Sequence, residues 1–193
     1  MPRPRVVVHV AVSLDGATTG FEPDVGRFYA LAKTWDEDVT LTGADTILAQ
    51  RDALAAAPRP GPAPDGPLLA VVDGRERVEE WVALRECGHW RDVVALRATE
   101  AERHVDLAGA LEMLAAEHAA RTVRVDSGGG LTGALLRLGL VDEVSLLVHP
   151  CVAGAAGDRR WHGPDDLAPL ALERIAAEAL DGGLTWLRFA VVG

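Results

Sequence analysis

The chain has 193 residues, 49 % of them hydrophobic, with 20 glycines and 11 prolines that follow no repeat; this is the composition of one medium globular domain and excludes a disordered or fibrous chain. A formal charge of −10 argues against a surface for duplex nucleic acid, because phosphate binding along a duplex needs a basic face. Cys87 and Cys151 lie far apart with no metal-ligand spacing around them, so both read as free thiols in a reducing compartment.

Along the chain, Met1-Pro2-Arg3-Pro4-Arg5 leads into an apolar run that breaks at Ser13 and Asp15. That is too short and too polar for a signal peptide or a membrane span, so a cytoplasmic protein with no membrane partner is expected. Val6 to Val12, interrupted only by His9, predicts a strand buried on both faces, closed by turn chemistry at Ser13-Leu14-Asp15-Gly16. Phe28 to Trp35 has helical spacing, and Val39 to Thr42 reads as the next strand, followed by a short helix over Thr46 to Gln50. The Pro- and Gly-rich stretch Pro58 to Pro67 is a surface loop and not a domain linker.

Leu68 to Val72 and Asp92 to Leu96 predict strands, the first ending in a turn at Asp73-Gly74. Leu107 to His118 is an amphipathic helix. Thr122 to Val125 is a short strand, Leu131 to Leu138 a helix, and Glu143 to His149 a strand ended by Pro150. Leu170 to Leu180 and Leu184 to Val192 form a hairpin about Asp181-Gly182-Gly183. Strands alternating with helices, then a hairpin, predict an α/β sandwich: a mostly parallel central sheet with an antiparallel C-terminal edge, all in one domain over residues 1–193.

The most informative segment is Asp126-Ser127-Gly128-Gly129-Gly130-Leu131, where a strand turns through glycines directly into a helix. The first N–H groups of such a helix are unpaired and, with the positive end of the helix dipole, attract a phosphate. Gly128, Gly130 and Gly133 satisfy G-x-G-x-x-G, but a Rossmann unit wants an acid at the end of the following strand, and Asp142 and Glu143 precede it. A phosphate cradle of another fold and a purely structural tight turn remain the readings. Gly43-Ala44-Asp45-Thr46 is a second strand-to-helix junction, where Thr46 serves either a ligand or the helix start.

Ser13 to Gly16 lies at a strand's carboxyl end, where ligands bind in open α/β sheets, and equally reads as an Asp-Gly turn. His9, inside an apolar strand, reads first as a satisfied core histidine. Arg75 and Arg77 are solvated cations or partners for a ribose 2′-phosphate. The tryptophans have no regular spacing and read as packing. No zinc-deaminase signature, G-x-S-x-G elbow, Walker A lysine or H-E-x-x-H occurs.

In order, Val12-Ser13-Leu14-Asp15-Gly16, Thr42-Gly43-Ala44-Asp45-Thr46-Ile47-Leu48, Val71 to Val78, Asp126 to Leu136 and Gly139-Leu140-Val141-Asp142-Glu143-Val144 resemble one family. It is the reductase domain of bacterial and archaeal riboflavin biosynthesis (the RibD C-terminal domain), a three-layer, dihydrofolate-reductase-like sandwich. The resemblance covers nearly the whole chain. It implies an NADPH-dependent reductase that delivers hydride to a pyrimidine- or pterin-type substrate, in the family a ribosylaminopyrimidine phosphate, 5-amino-6-(5-phosphoribosylamino)uracil, as well as a homodimer joined through the late strands.

By the same resemblance Ala11, Gly43, Thr46, Gly74, Gly128, Gly129, Gly130 and Leu131 would meet the cofactor. Gly74 stands where the family often has serine, which passes the 2′-phosphate to Arg75 and Arg77. His9, Asp15, Gln50 and Asp126 would face the substrate, Asp126 orienting it without acting as the acid. Here the chain departs from the family. Gln50 replaces the first acid of Asp-Asp-Pro, Asp126 is one methylene shorter than the usual glutamate, and His9 replaces a lysine. The departures gather on the substrate side, so the alternative is a catalytically degenerate module of the same fold that only binds ligand or assembles.

Overall fold

The structure, a computed structural model, describes residues 3–98, 104–164 and 167–192. Its strands are β1 (Arg5–Ser13), β2 (Val39–Gly43), β3 (Leu68–Val72), β4 (Asp92–Leu96), β5 (Thr122–Val125), β6 (Glu143–His149), β7 (Ala171–Ala179) and β8 (Thr185–Val192). Its helices are α1 (Val25–Ala32), α2 (Ala44–Ala49), α3 (Arg51–Ala56), α4 (Trp81–Glu86), α5 (Leu107–His118) and α6 (Gly129–Arg137). The strands belong to one mixed sheet in the order β4-β3-β2-β5-β1-β6-β8-β7. The chain divides into two compact units, Met1–Pro4 with Glu37–Val123 and Arg5–Asp36 with Arg124–Gly193.

In the first unit β2, β3 and β4 run parallel. Leu69, Val71 and Val93 from these strands pack with Ala44, Ile47, Leu54, Val78 and Leu84, and Trp81 and Trp90 close the edge of that cluster. Leu107, Leu111 and Leu114 bury the inner stripe of α5, spaced four and three residues apart as a helical face requires. Asp106 starts this helix by accepting from the Gly109 N–H at 3.1 Å.

In the second unit β1 pairs parallel with β6, and β6 and β7 each pair antiparallel with β8. The β-branched run of β1 is buried almost throughout, as its lack of polar alternation predicts. The hairpin turn places Gly182 and Gly183 at φ 77° and 75°, a conformation that favours glycine. The Gly-Leu-Val-Asp-Glu block works structurally. Asp142 accepts from the Val6 N–H at 2.7 Å. Glu143, 1 % exposed, takes Arg5, Arg188 (2.6 Å) and the Trp35 indole N–H (3.2 Å) onto one carboxylate.

The sequence reading placed the short helix α2 (Ala44–Ala49) at Thr46 to Gln50 and missed α3 and α4 altogether. Both α3 and α4 are six residues long, too short to display a period, and they form because Leu54 and Leu84 reach the first unit's core. Helix α1 starts before Phe28, at Val25, because Asp24 caps it by accepting from the Arg27 N–H at 2.8 Å. It tightens into a 3₁₀ turn at Lys33–Trp35, and Asp36 follows at φ 45°.

Candidate functional site

Strand β5 carries the chain to Asp126, and three residues later α6 begins with Gly128 as its cap residue and no side chain capping it. The amides of Gly129, Gly130 and Leu131 lie in the first turn, where no helical carbonyl can reach them. The three glycines differ. A Cβ on Gly128 or Gly130 would meet nothing within 4 Å, and both residues are exposed. A Cβ on buried Gly129 would overlap the Arg160 carbonyl and come within 2.5 Å of the Gly163 nitrogen. One glycine thus admits the segment over α6, and the other two leave main chain open to a ligand.

Asp126 stands beside this opening with its side chain 23 % exposed. The buried Arg124 donates from Nη1 to Asp126 Oδ2 at 3.2 Å. On α1, burial, then the charge of Asp126, push the Tyr29 phenol up to about 12. Sequence reasoning overlooked both neighbours. Arg124 was visible as a lone charge in a β-branched run, and Tyr29 is the chain's single tyrosine, but nothing in the sequence joins either to Asp126.

His9 is fully buried. Its Nε2 lies 3.0 Å from the Phe28 carbonyl and its Nδ1 3.0 Å from Ser145 Oγ, while the Trp186 indole donates to that Oγ at 2.8 Å. The one proton arrangement that satisfies all four groups is Trp186 to Ser145, Ser145 to Nδ1, and Nε2–H to Phe28. His9 is therefore a satisfied core histidine with neither nitrogen open to a substrate. Burial chiefly pulls its imidazole down from 6.5 to about 4, the charge of Arg124 adding to this and the Phe28 carbonyl opposing it.

Because the folded value is the lower one, unfolding takes up a proton between these limits. The stability His9 contributes is full above pH 6.5 and is lost as pH falls toward 4. The loss is about 3 kcal/mol. Urea denaturation at pH 7 and pH 4 should show it, with His9→Gln flattening the dependence; an unchanged slope would contradict this assignment.

Asp15 is occupied as well. Its carboxylate accepts from Ser13 Oγ (2.6 Å) and from the N–H groups of Ala153 (3.0 Å) and Gly154 (3.1 Å), and Arg160 bonds its carbonyl. The Ser13 hydroxyl, then the Ala153 amide, hold this carboxyl down at about 2. It anchors the segment that crosses α6 at Gly129. Ala11 lies on β1 against the cluster of Phe28, Leu147 and Leu184, and Leu131 is half-buried in the first turn of α6.

On the other unit, Gly43 is the N-cap of α2 and Thr46 sits in its first turn. Gln50 is exposed between α2 and α3, its N–H bonded to the Ile47 carbonyl at 3.0 Å. After β3, the buried Asp73 carboxylate accepts from the Arg77 and Val78 N–H groups at 3.0 and 2.8 Å, which fixes the turn carrying Gly74. Arg77 is paired with Asp45 at 2.7 Å, whereas Arg75 is exposed.

The family profile described as RibD C-terminal domain matches residues 4–185. No curated protein matches by sequence. Among solved structures, RibD of Acinetobacter baumannii superposes with a TM-score of 0.73 at 20 % identity, over 98 % of this chain and 58 % of that one. A pyrimidine reductase-like protein of Corynebacterium diphtheriae gives 0.64 at 18 % identity, covering 98 % and 92 %. Riboflavin Biosynthesis Reductase Rib7 of Saccharomyces cerevisiae gives 0.60 at 18 %, covering 98 % and 90 %. These likenesses establish the fold, an eight-stranded mixed α/β sheet of the kind those proteins share, and the chain spans 58 % of the A. baumannii protein's length.

Proposed function

Since the chain belongs to the RibD C-terminal domain family, we propose that it is an NADPH-dependent reductase of a pyrimidine- or pterin-type substrate, of the kind that reduces 5-amino-6-(5-phosphoribosylamino)uracil. The observation that carries this reading is the opening of α6, where Gly128 and Gly130 have clear space at Cβ and the first-turn amides have no helical partner. A pyrophosphate fits that chemistry, being anionic and small enough to approach bare main chain. Bound there, NADPH would supply the hydride.

The chain's own residues hold and orient. Gly128, Gly129, Gly130 and Leu131 present amides, and Ala11 lies on β1 against the core. Gly43, Thr46 and Gly74 carry the cofactor contacts that the resemblance implies on their own unit. With Arg77 engaged by Asp45, Arg75 is the arginine offered to a 2′-phosphate. Asp126, tied to Arg124, accepts a hydrogen bond from a substrate N–H or O–H and orients the ring. His9 and Asp15 serve the framework, which leaves Asp126 and Gln50 as the substrate-side residues. A homodimer through the late strands belongs to the same reading: β7 is exposed nearly throughout, Leu172 and Ile175 included.

The test is NADPH oxidation with 5-amino-6-(5-phosphoribosylamino)uracil and with dihydrofolate. Turnover of one of them is expected, with kcat/KM falling 10- to 100-fold in Asp126→Asn, the worth of a hydrogen bond to a charged group. The exposed Gln50 at the family's acid position favours a second reading, a module that binds the cofactor without turning over. Bound but unoxidised NADPH with every substrate would establish that reading instead.

A further inference from the structure

The carboxyl edge of β3 and β4 carries as much acid as base, and its charges decide how strongly a 2′-phosphate is held. We infer that Glu76 sets the cofactor preference by engaging Arg97, so that NADPH and NADH are told apart only weakly. This rests on the proposed reductase reading, in which the cofactor's ribose 2′ position lies at Gly74 and Arg75.

Strands β3 and β4 end side by side, the Asp73 N–H donating to the Leu96 carbonyl at 2.9 Å. The residues that follow them therefore share one edge: Gly74, Arg75, Glu76 and Arg77 after β3, and Arg97 after β4. Arg97 Nη1 lies 3.4 Å from Glu76 Oε2, with both side chains more than half exposed. Arg77 is taken by Asp45 at 2.7 Å. Three arginines, Arg75, Arg77 and Arg97, thus stand against three carboxylates, Asp45, Asp73 and Glu76, and the six together carry no net charge.

Glu76 sits in a turn that does not suit it. Its φ is 53°, in the left-handed region that favours glycine. Asp73 holds it there, the Asp73 carbonyl accepting from the Glu76 N–H at 3.2 Å while the carboxylate accepts from the Arg77 and Val78 N–H groups. Arg97 also lines a cavity of about 260 Å³ with Leu96, Val105 and Met113. Gly74 borders that cavity, since a Cβ on it would stand 3.3 Å from Val105 Cγ2. A ligand reaching Gly74 from this side meets a guanidinium already partnered by a carboxylate. A 2′-phosphate, close to a dianion, is attracted by Arg75 and Arg97 and repelled by Glu76; a 2′-hydroxyl carries no charge and is indifferent.

Titration of the wild type with NADPH and with NADH, followed by nicotinamide fluorescence, should give dissociation constants within about tenfold of each other. Glu76→Gln keeps the shape and removes the charge. It should bind NADPH about fivefold more tightly, the effect of one exposed charge at close range, with NADH binding and Tm unchanged. Raising the salt to about 1 M should erase the gain, because screening then acts within about 3 Å. Arg97→Gln should weaken NADPH binding more in the Glu76→Gln background than in the wild type, since the guanidinium is released only there. A ratio of NADPH to NADH affinity that Glu76→Gln leaves unchanged, or a wild-type ratio well above that limit, would overturn the inference and leave the reductase reading intact. A wild type that binds neither nucleotide would fail at the reductase reading and take the inference with it.

Discussion

Gly129→Ala is expected to destabilise the protein by about 3 kcal/mol or more, at the upper end of the cost of overpacking. The methyl would overlap the Arg160 carbonyl, and Gly163 leaves no second direction, its nitrogen being 2.5 Å away. Main chain cannot swing aside as a side chain can, so either α6 or the 160–163 segment has to move. Gly133→Ala should behave alike, because its Cβ would overlap the His162 carbonyl. Gly128→Ala and Gly130→Ala enter open space and should leave the Tm within a few degrees. Thermal unfolding of the four variants checks this pattern. Equal losses in all four would mean that the glycines serve only the turn.

Glu143→Ala is expected to cost about 3–5 kcal/mol, because removing one partner of a buried charge cluster leaves the others uncompensated. Arg5 is half-exposed and can turn to solvent, but the side chain of Arg188 is only 18 % exposed. Its guanidinium lies between Trp35 and Trp186, 5.5 and 5.4 Å from their rings, and the Trp35 indole N–H would lose its acceptor too. Spread over a chain of this size, the loss amounts to a Tm lower by roughly 10 °C. A drop of only a degree or two would show that water replaces the carboxylate freely.

The sheet was legible because its strands obey simple patterns. The β-branched run of β1, the short apolar run of β3, the hairpin glycines and the stripe of α5 each state their own conformation. Helices α3 and α4 were not legible, since a six-residue helix depends on the surface it covers. The candidate site divides in the same way. The glycine corner before α6 is a local feature and could be read directly, although which glycine admits chain and which stays open depends on a segment thirty residues downstream. His9 and Asp15 have residue types that serve substrates or frameworks equally well. Only contacts such as Ser145 with His9, and Ala153 and Gly154 with Asp15, show that the framework takes them. Tyr29 and Asp126 come together over nearly a hundred residues of chain, and no periodicity reports that.

The most direct measurement is titration of the protein with NADPH, followed by nicotinamide fluorescence, for wild type and Gly130→Ala. The account expects saturation below roughly 1 mM for wild type, within the usual range for enzymes and their cofactors, and binding about tenfold weaker in the variant at unchanged Tm. No binding by wild type, or equal binding by both proteins, would contradict the claim that the bare main chain opening α6 holds the dinucleotide's phosphates.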